Sequence, residues 1–206
     1  PVYSPTYGVS YVYAYDPEGN LLEMEKLDGE QLLKHAGYLD NWDKDNKAIW
    51  MSQVSLFTPD RDRLMQFYHN IFRTNPHRIV EVPVGEFGDN LFDIDNAKVQ
   101  IGWFRLNRQS KVMEILQFLN PPTPQSMIER EPASLGYSFS LEVSDIEAEY
   151  QRLKALGVEF FSPPVKLGRF VQAYARDIDG NIFSLRQPVD SDGPFSVKAY
   201  DKRGGL

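Results

Sequence analysis

The sequence predicts an α+β fold built from tandem βαβββ units, and three observations carry that prediction. The first is a repeated turn. Residues 172–186, QAYARDIDGNIFSLR, read as strand, tight turn, strand, and residues 13–20, YAYDPEGN, say nearly the same 161 positions earlier. On that offset Asp16 falls on Asp177, Gly19 on Gly180 and Glu23 on Ser184, which points to internal duplication. The second is a pair of strand-to-helix junctions 85 positions apart, matching Ser55-Leu56 with Ser140-Leu141 and Asp60 with Asp145. The third is the switch of apolar period from two to 3.6 and back to two within each copy.

Taken in order, residues 7–15 are β-branched and aromatic and read as a strand. Residues 16–20 turn it and residues 21–26 return, with Leu22 and Met24 on one face and Glu23 and Glu25 on the other. In such turns Gly180 supplies the positive φ, while Asp179 and Asn181 are expected to bond their own backbone. Residues 1–27 therefore form a terminal hairpin, which is marginal alone and must dock on something. Residues 28–49 read as a linker with a short helix, carrying His35 on its surface.

Residues 50–119 make a complete unit. In its first strand Val54 and Leu56 share one face, and Gln53, Ser55 and Phe57 the other. Thr58-Pro59-Asp60 reads as a Thr N-cap, Pro at the first helical position and an acid in the first turn. Leu64, Phe67, Tyr68, Ile71 and Phe72 then give an amphipathic stripe. Strands follow near 78–84, 97–106 and 111–119. Residues 120–135, with four prolines, form a linker. Residues 136–187 repeat the plan: a strand with Ser138, Ser140 and Glu142 outward, a Ser144-x-x-Glu147 capping box, a stripe of Tyr150, Leu153 and Leu156, a C-terminal Gly157, and strands near 158–161, 169–176 and 181–187. Residues 188–206 are a polar, Gly-rich tail expected to fray.

Composition narrows the partners. The chain has 206 residues, 42% hydrophobic and 13% aromatic, with a formal net charge of −7. No Lys/Arg cluster suggests a nucleic-acid partner. There are no cysteines, so thiolate metal sites and cysteine nucleophiles are excluded. No apolar run approaches the roughly 20 residues that span a bilayer. The opening residues carry neither a basic nor an apolar leader region, which makes the cytoplasm the expected location.

Tandem βαβββ units, each with an Asp-x-[Asp/Glu]-Gly-Asn type turn before a last strand, resemble the vicinal oxygen chelate superfamily, which includes glyoxalase I, bleomycin- and fosfomycin-resistance proteins and extradiol dioxygenases. The likeness covers residues 7–26 and 50–187. It implies mixed sheets curled around a cleft, and a metal-dependent lyase, isomerase or ring-cleaving dioxygenase, or else a metal-free small-molecule-binding protein. In metal-bearing relatives a His or Gln on a first strand and a Glu on a last strand hold a divalent ion. Here those positions are Gln53 and Glu114 in the first full unit, and Ser138 and Ser184 in the second. Glu23 occupies the last-strand position of the opening hairpin; the alternative is a solvated carboxylate beside Glu25.

The resemblance thus implies that the two full units form a pair degenerate for metal, and that the chain is part of a four-module enzyme acting on a small oxygenated substrate, an aromatic one among the options. Fe, Zn, Ni or Mn would then belong to the complete protein, none is expected within this chain, and the chain is expected to purify without stoichiometric transition metal. Gln53, Ser55, Glu114, Ser138, Ser140, Ser184 and Arg186 are expected to line a ligand cleft rimmed by Trp50, Trp103 and Tyr137, or else to fill a closed interface through ordinary hydrogen bonds. A buried Glu114 would need a donor such as Arg105, Arg108 or Arg186. His69 and His77 read as surface or cap residues, and a homo-oligomer, a homodimer in the simplest case, is the expected assembly.

Overall fold

The computed structural model describes residues 1–6, 8–27, 53–106, 112–124, 137–194 and 196–197. The expected linker helix, His35, Trp50, Tyr7 and Arg108 lie outside the described residues. The chain divides into two compact units, Pro1–Gln125 and Ser126–Leu206.

The first unit holds two sheets. One is the antiparallel set β1 (Val2–Ser4), β2 (Val9–Tyr15) and β3 (Leu21–Leu27). The other has the order β4 (Gln53–Phe57), β7 (Val112–Asn120), β6 (Lys98–Phe104), β5 (Arg78–Val82), with β4 parallel to β7 and the remaining pairs antiparallel. Helix α1 (Arg61–Phe72) follows β4, and a short helix α2 (Glu86–Phe92) stands between β5 and β6.

Period-two alternation gives the second sheet two distinct faces. Leu56, Phe104, Met113 and Ile115 meet the Leu64, Met65, Tyr68 and Ile71 stripe of α1, all of them buried. Gly102 permits this approach, since a Cβ there would sit 2.5 Å from the Met65 sulfur. On the opposite face Val99, Ile101, Trp103 and Leu116 form a buried cluster flanked by Phe92 and Phe118. The hairpin docks on this side, with the Tyr13 ring 6.0 Å from that of Phe92.

The second unit carries β10 (Val165–Leu167), β11 (Phe170–Arg176), β12 (Ile182–Pro188) and β8 (Phe139–Glu142) in that order, with β9 (Glu159–Phe160) pairing β11 and helix α3 (Ile146–Ala155) after β8. Its β8–β12 pair is parallel, as β4–β7 is.

Several local expectations are corrected. The N-caps are Asp60 and Asp145, whose side chains accept from Arg63 N and Ala148 N; Thr58 and Ser144 do not serve. Thr58 is instead fully buried and bonds the Asp60 backbone. The reason recurs in both units: Gln117 Oε1 accepts from Arg61 N and Gln187 Oε1 from Ile146 N, so a last-strand glutamine fixes where each helix begins. Helix α2 and strands β1 and β10 were not foreseen; all are short and lack a full apolar period. The tail does not fray as far as Val197, because Glu142 Oε1 accepts from Ser196 Oγ and Val197 N.

The duplicated turn is confirmed down to its hydrogen bonds, with one change of actor. Asp16 Oδ1 accepts from Glu18 N and Asn20 N while Oδ2 accepts from Asn20 Nδ2. Asp177 repeats this with Asp179 N, Asn181 N and Asn181 Nδ2. Gly19 and Gly180 sit at φ 81 and 82. The first aspartate, rather than Asp179 or Asn181, therefore organises the turn. Asp177→Ala strands two backbone N–H groups in a buried turn and is expected to cost about 2 kcal/mol in urea unfolding. A loss below a few tenths of that would contradict the assignment.

Candidate functional site

One row crosses the second sheet of the first unit. Ser55 pairs Glu114, Glu114 pairs Trp103, and Trp103 pairs Arg78, so these four side chains share the face turned toward the hairpin. Gln53 lies two residues before Ser55 and shares that face too. In the hairpin, Tyr13 stands opposite Glu23 and Tyr11 opposite Glu25.

The two rows meet at one amide. Gln53 Nε2 donates to Glu114 Oε2 at 2.8 Å and to Glu23 Oε2 at 3.2 Å. Ser55 Oγ donates to the same Glu114 oxygen at 2.5 Å, and Tyr13 Oη donates to Glu23 Oε1 at 2.6 Å. Glu114 is only 5% exposed. Gln53 Oε1 is buried and has no hydrogen-bond partner among the described residues. Two carboxylates and one orphaned carbonyl oxygen are thus gathered around a single side chain.

Glu23 is therefore not the solvated carboxylate that its neighbour Glu25 suggested. The hairpin docks through its Tyr/Glu face and leaves Val12, Leu22 and Met24 exposed, at 36%, 48% and 52%. Their equivalents in the second unit, Ala173, Phe183 and Leu185, are buried.

Of the expected cleft residues, the structure brings together Gln53, Ser55 and Glu114 and adds Glu23. The others belong to the second unit. Ser140 and Ser184 hydroxyls lie 2.8 Å apart. Ser138 is exposed. Arg186 bonds Glu142 Oε2 at 3.1 Å and stacks on Phe170. Gln53 and Ser55 are donors to Glu114. His69 Nδ1 faces the Thr74 carbonyl at 2.9 Å, a helix-end contact consistent with a cap. Tyr137 is 47% exposed and Trp103 is buried.

Tyr13, Arg78 and the placement of Trp103 beside Glu114 were missed. The signal for Tyr13 was present: equal steps outward from the Asp16–Asn20 pair reach Tyr13 and Glu23 together.

Burial, then the charge of Glu23 and its hydrogen bond, push the Tyr13 phenol well above its ordinary value; burial followed by Glu25 and Glu23 does the same for Tyr11. A phenol raised in the folded state favours folding at pH values below its unfolded pKa of about 10. That contribution falls as pH rises, because the unfolded chain ionises first. Phenolate absorbance of Tyr11 and Tyr13 is accordingly expected to appear together with alkaline unfolding. Titration of all described tyrosines before unfolding would contradict this.

This curled, duplicated α+β architecture with its clustered strand-borne oxygen donors defines a class. Residues 50–185 match the model of the Glyoxalase/Bleomycin resistance protein/Dioxygenase superfamily, and the chain belongs to that superfamily. Among solved structures it is similar to a glyoxalase family protein from Bacillus cereus, with 24% identity, a TM-score of 0.62, and coverage of 72% of this chain and 100% of that one. It also matches the fosfomycin resistance protein FosX from Listeria monocytogenes, at 18% identity, a TM-score of 0.43 and coverage of 69% and 95%. A glyoxylase/bleomycin resistance protein/dioxygenase domain from Frankia sp. EAN1pec matches at 16% identity, a TM-score of 0.46 and coverage of 69% and 99%. The likeness to the Bacillus cereus protein bears on the fold. No match was found among curated proteins. No helix among the described residues is long and apolar enough to cross a membrane.

A resident metal can be tested against the residues present. Among the described residues no group of three or more His, Cys, Asp or Glu could hold one. Two carboxylates and a glutamine carbonyl oxygen are the donor types that suit Mg²⁺ or Mn²⁺ better than Zn²⁺ or Ni²⁺, and they fit such an ion here once the Gln53 amide turns over, since its Nε2 now faces both carboxylates.

Proposed function

We propose that this protein acts on a small oxygenated molecule at the Glu23–Gln53–Glu114 cluster of its first unit, with an exchangeable hard divalent cation held by those three residues. The observation that carries the reading is the convergence of both carboxylates on the Gln53 amide, while Gln53 Oε1 stays buried and has no partner among the described residues. When bound, such a cation would polarise neighbouring substrate oxygens as a Lewis acid. The chain's own residues hold and orient. Ser55 fixes the Glu114 carboxylate and Tyr13 fixes Glu23, so that one oxygen of each faces Gln53. An oxygen-only donor set is expected to exchange its ion readily, so that the chain purifies without stoichiometric transition metal. In the second unit the Ser140 and Ser184 hydroxyls bond one another, and hydroxyls are poor ligands, so that pair holds no ion.

Adding Mn²⁺ is expected to raise the melting temperature. At a hundredfold excess over Kd, binding stabilises by about 2.7 kcal/mol. Glu23→Gln is expected to reduce the shift sharply. An unchanged melting temperature in the wild type would sink the proposal. A metal-free small-molecule-binding protein is the rival reading, favoured by the fact that Gln53 already bridges both carboxylates with its own donor; the same titration separates the two.

A further inference from the structure

Strand β3 is a third copy of the last strand that β7 and β12 supply, with Glu23 where Glu114 and Ser184 stand. On the opposite face of that strand the two complete units agree. Met113 and Ile115 of β7, and Phe183 and Leu185 of β12, are all but fully buried, and α1 and α3 pack against those strands. Leu22 and Met24 occupy the same two places in β3 and are exposed. Val12 stands opposite Met24 as Ala173 stands opposite Leu185, and it too is exposed. Size says what this patch fits. Two strands of seven residues offer a face of roughly 20 by 10 Å. A helix of about ten to twelve residues is about 15 to 18 Å long and about 10 Å across. The helices on the equivalent faces have 12 and 10 residues. A second copy is the poorer fit, because roughly 200 Å² of face is far below the ~800 Å² per partner of a stable dimer.

Charge defines the helix further. In both complete units a glutamine two residues beyond the buried pair accepts from the first helical N–H, Gln117 from Arg61 N and Gln187 from Ile146 N. The residue at that place in β3 is Lys26, exposed on the face of Leu22 and Met24. An ammonium donates and cannot accept, and it repels the positive end of a helix dipole. It therefore suits a helix whose first turn carries carboxylates. We propose that the outer face of the β2–β3 hairpin docks one amphipathic helix from a separate polypeptide, about ten to twelve residues long. Its acidic first turn sits on Lys26, and an i, i+4, i+7 apolar stripe covers Val12, Leu22 and Met24. The surface lies on the side of the hairpin away from Tyr13 and Glu23, so it stands apart from the reading of the Glu23–Gln53–Glu114 cluster.

The probe is a synthetic helix of residues 144–157, which carries the Ile146, Tyr150 and Leu153 stripe and has Glu147 and Glu149 in its first turn. A cross-link between positions 151 and 155, both exposed in α3, holds it helical, since so short a peptide is marginal alone. The readout is the Met24 methyl peak in a full chain labelled at its five methionines, identified by its loss in Met24→Leu. The peak is expected to move saturably with the probe and to stay in place when the chain carries Leu22→Asp. Lys26→Glu is expected to raise the midpoint about fivefold. A second probe with Glu147→Lys and Glu149→Lys is expected to bind the unaltered chain worse and the Lys26→Glu chain better. A peak that ignores the acidic probe, or that follows both probes equally, overturns the proposal. So does a peak that shifts with protein concentration before any probe is added, which would place a second copy on this face. A peak shielded from a soluble nitroxide in the dilute chain would place the chain's own residues there and overturn it as well.

Discussion

Glu114→Ala is expected to lower the stability of the first unit by about 3 kcal/mol and to remove its affinity for Mn²⁺. The carboxylate is 5% exposed and accepts from both Gln53 Nε2 and Ser55 Oγ. Deleting it leaves two half-buried donors without that acceptor and a cavity in a packed row between Ser55 and Trp103. Ser55→Ala, by contrast, removes one donor and leaves the carboxylate its Gln53 bond, so about 1 kcal/mol is expected. Urea unfolding measures both. Equal losses from the two variants would mean that Glu114 is held by something other than this pair.

The second large effect lies at the position equivalent to Glu114 in the other unit. Ser184 is fully buried and pairs the Ser140 hydroxyl, as Glu114 pairs Ser55. Ser184→Glu would place a carboxylate there without the amide that Gln53 supplies in the first unit, because Ser138 stands at that position. A buried charge with one neutral donor is expected to cost at least about 3 kcal/mol. Adding Ser138→Gln is expected to recover about 1 kcal/mol if the two units share a plan at this depth. No recovery in the double variant would show that the equivalence ends at the strand pairing.

What the sequence made legible was whatever depends on local chemistry and period. The Asp16 and Asp177 turns, the strand alternation around Gln53 and Ser55, the α1 stripe and the Gly157 helix end all follow from short-range rules, and all are found. Helix starts were misplaced by one or two residues because their caps depend on Gln117 and Gln187, which reach the helix from more than 40 positions away. The site divided the same way. Gln53 and Glu114 were visible as first- and last-strand positions of one unit. Glu23 required knowing which face of the hairpin docks, and Leu22 with Met24 made the opposite face the apolar one. The tilted contact of the Tyr13 ring with Phe92, in a helix that was not foreseen, decided the matter in the fold. The repeat, for its part, transmits strand register to all three last-strand positions, pairing Tyr13 with Glu23, Trp103 with Glu114 and Tyr174 with Ser184. It does not transmit burial or charge, and those decide chemistry.

The central claim is that the donor set lies in the first unit alone. Electron paramagnetic resonance of Mn²⁺ titrated into the full chain tests it most directly, because bound and free ion give separable signals. One site per chain is predicted, lost in Glu114→Gln and in Glu23→Gln and retained in Ser184→Ala. Binding that survives both carboxamide variants, or that disappears with Ser184→Ala, would contradict the account.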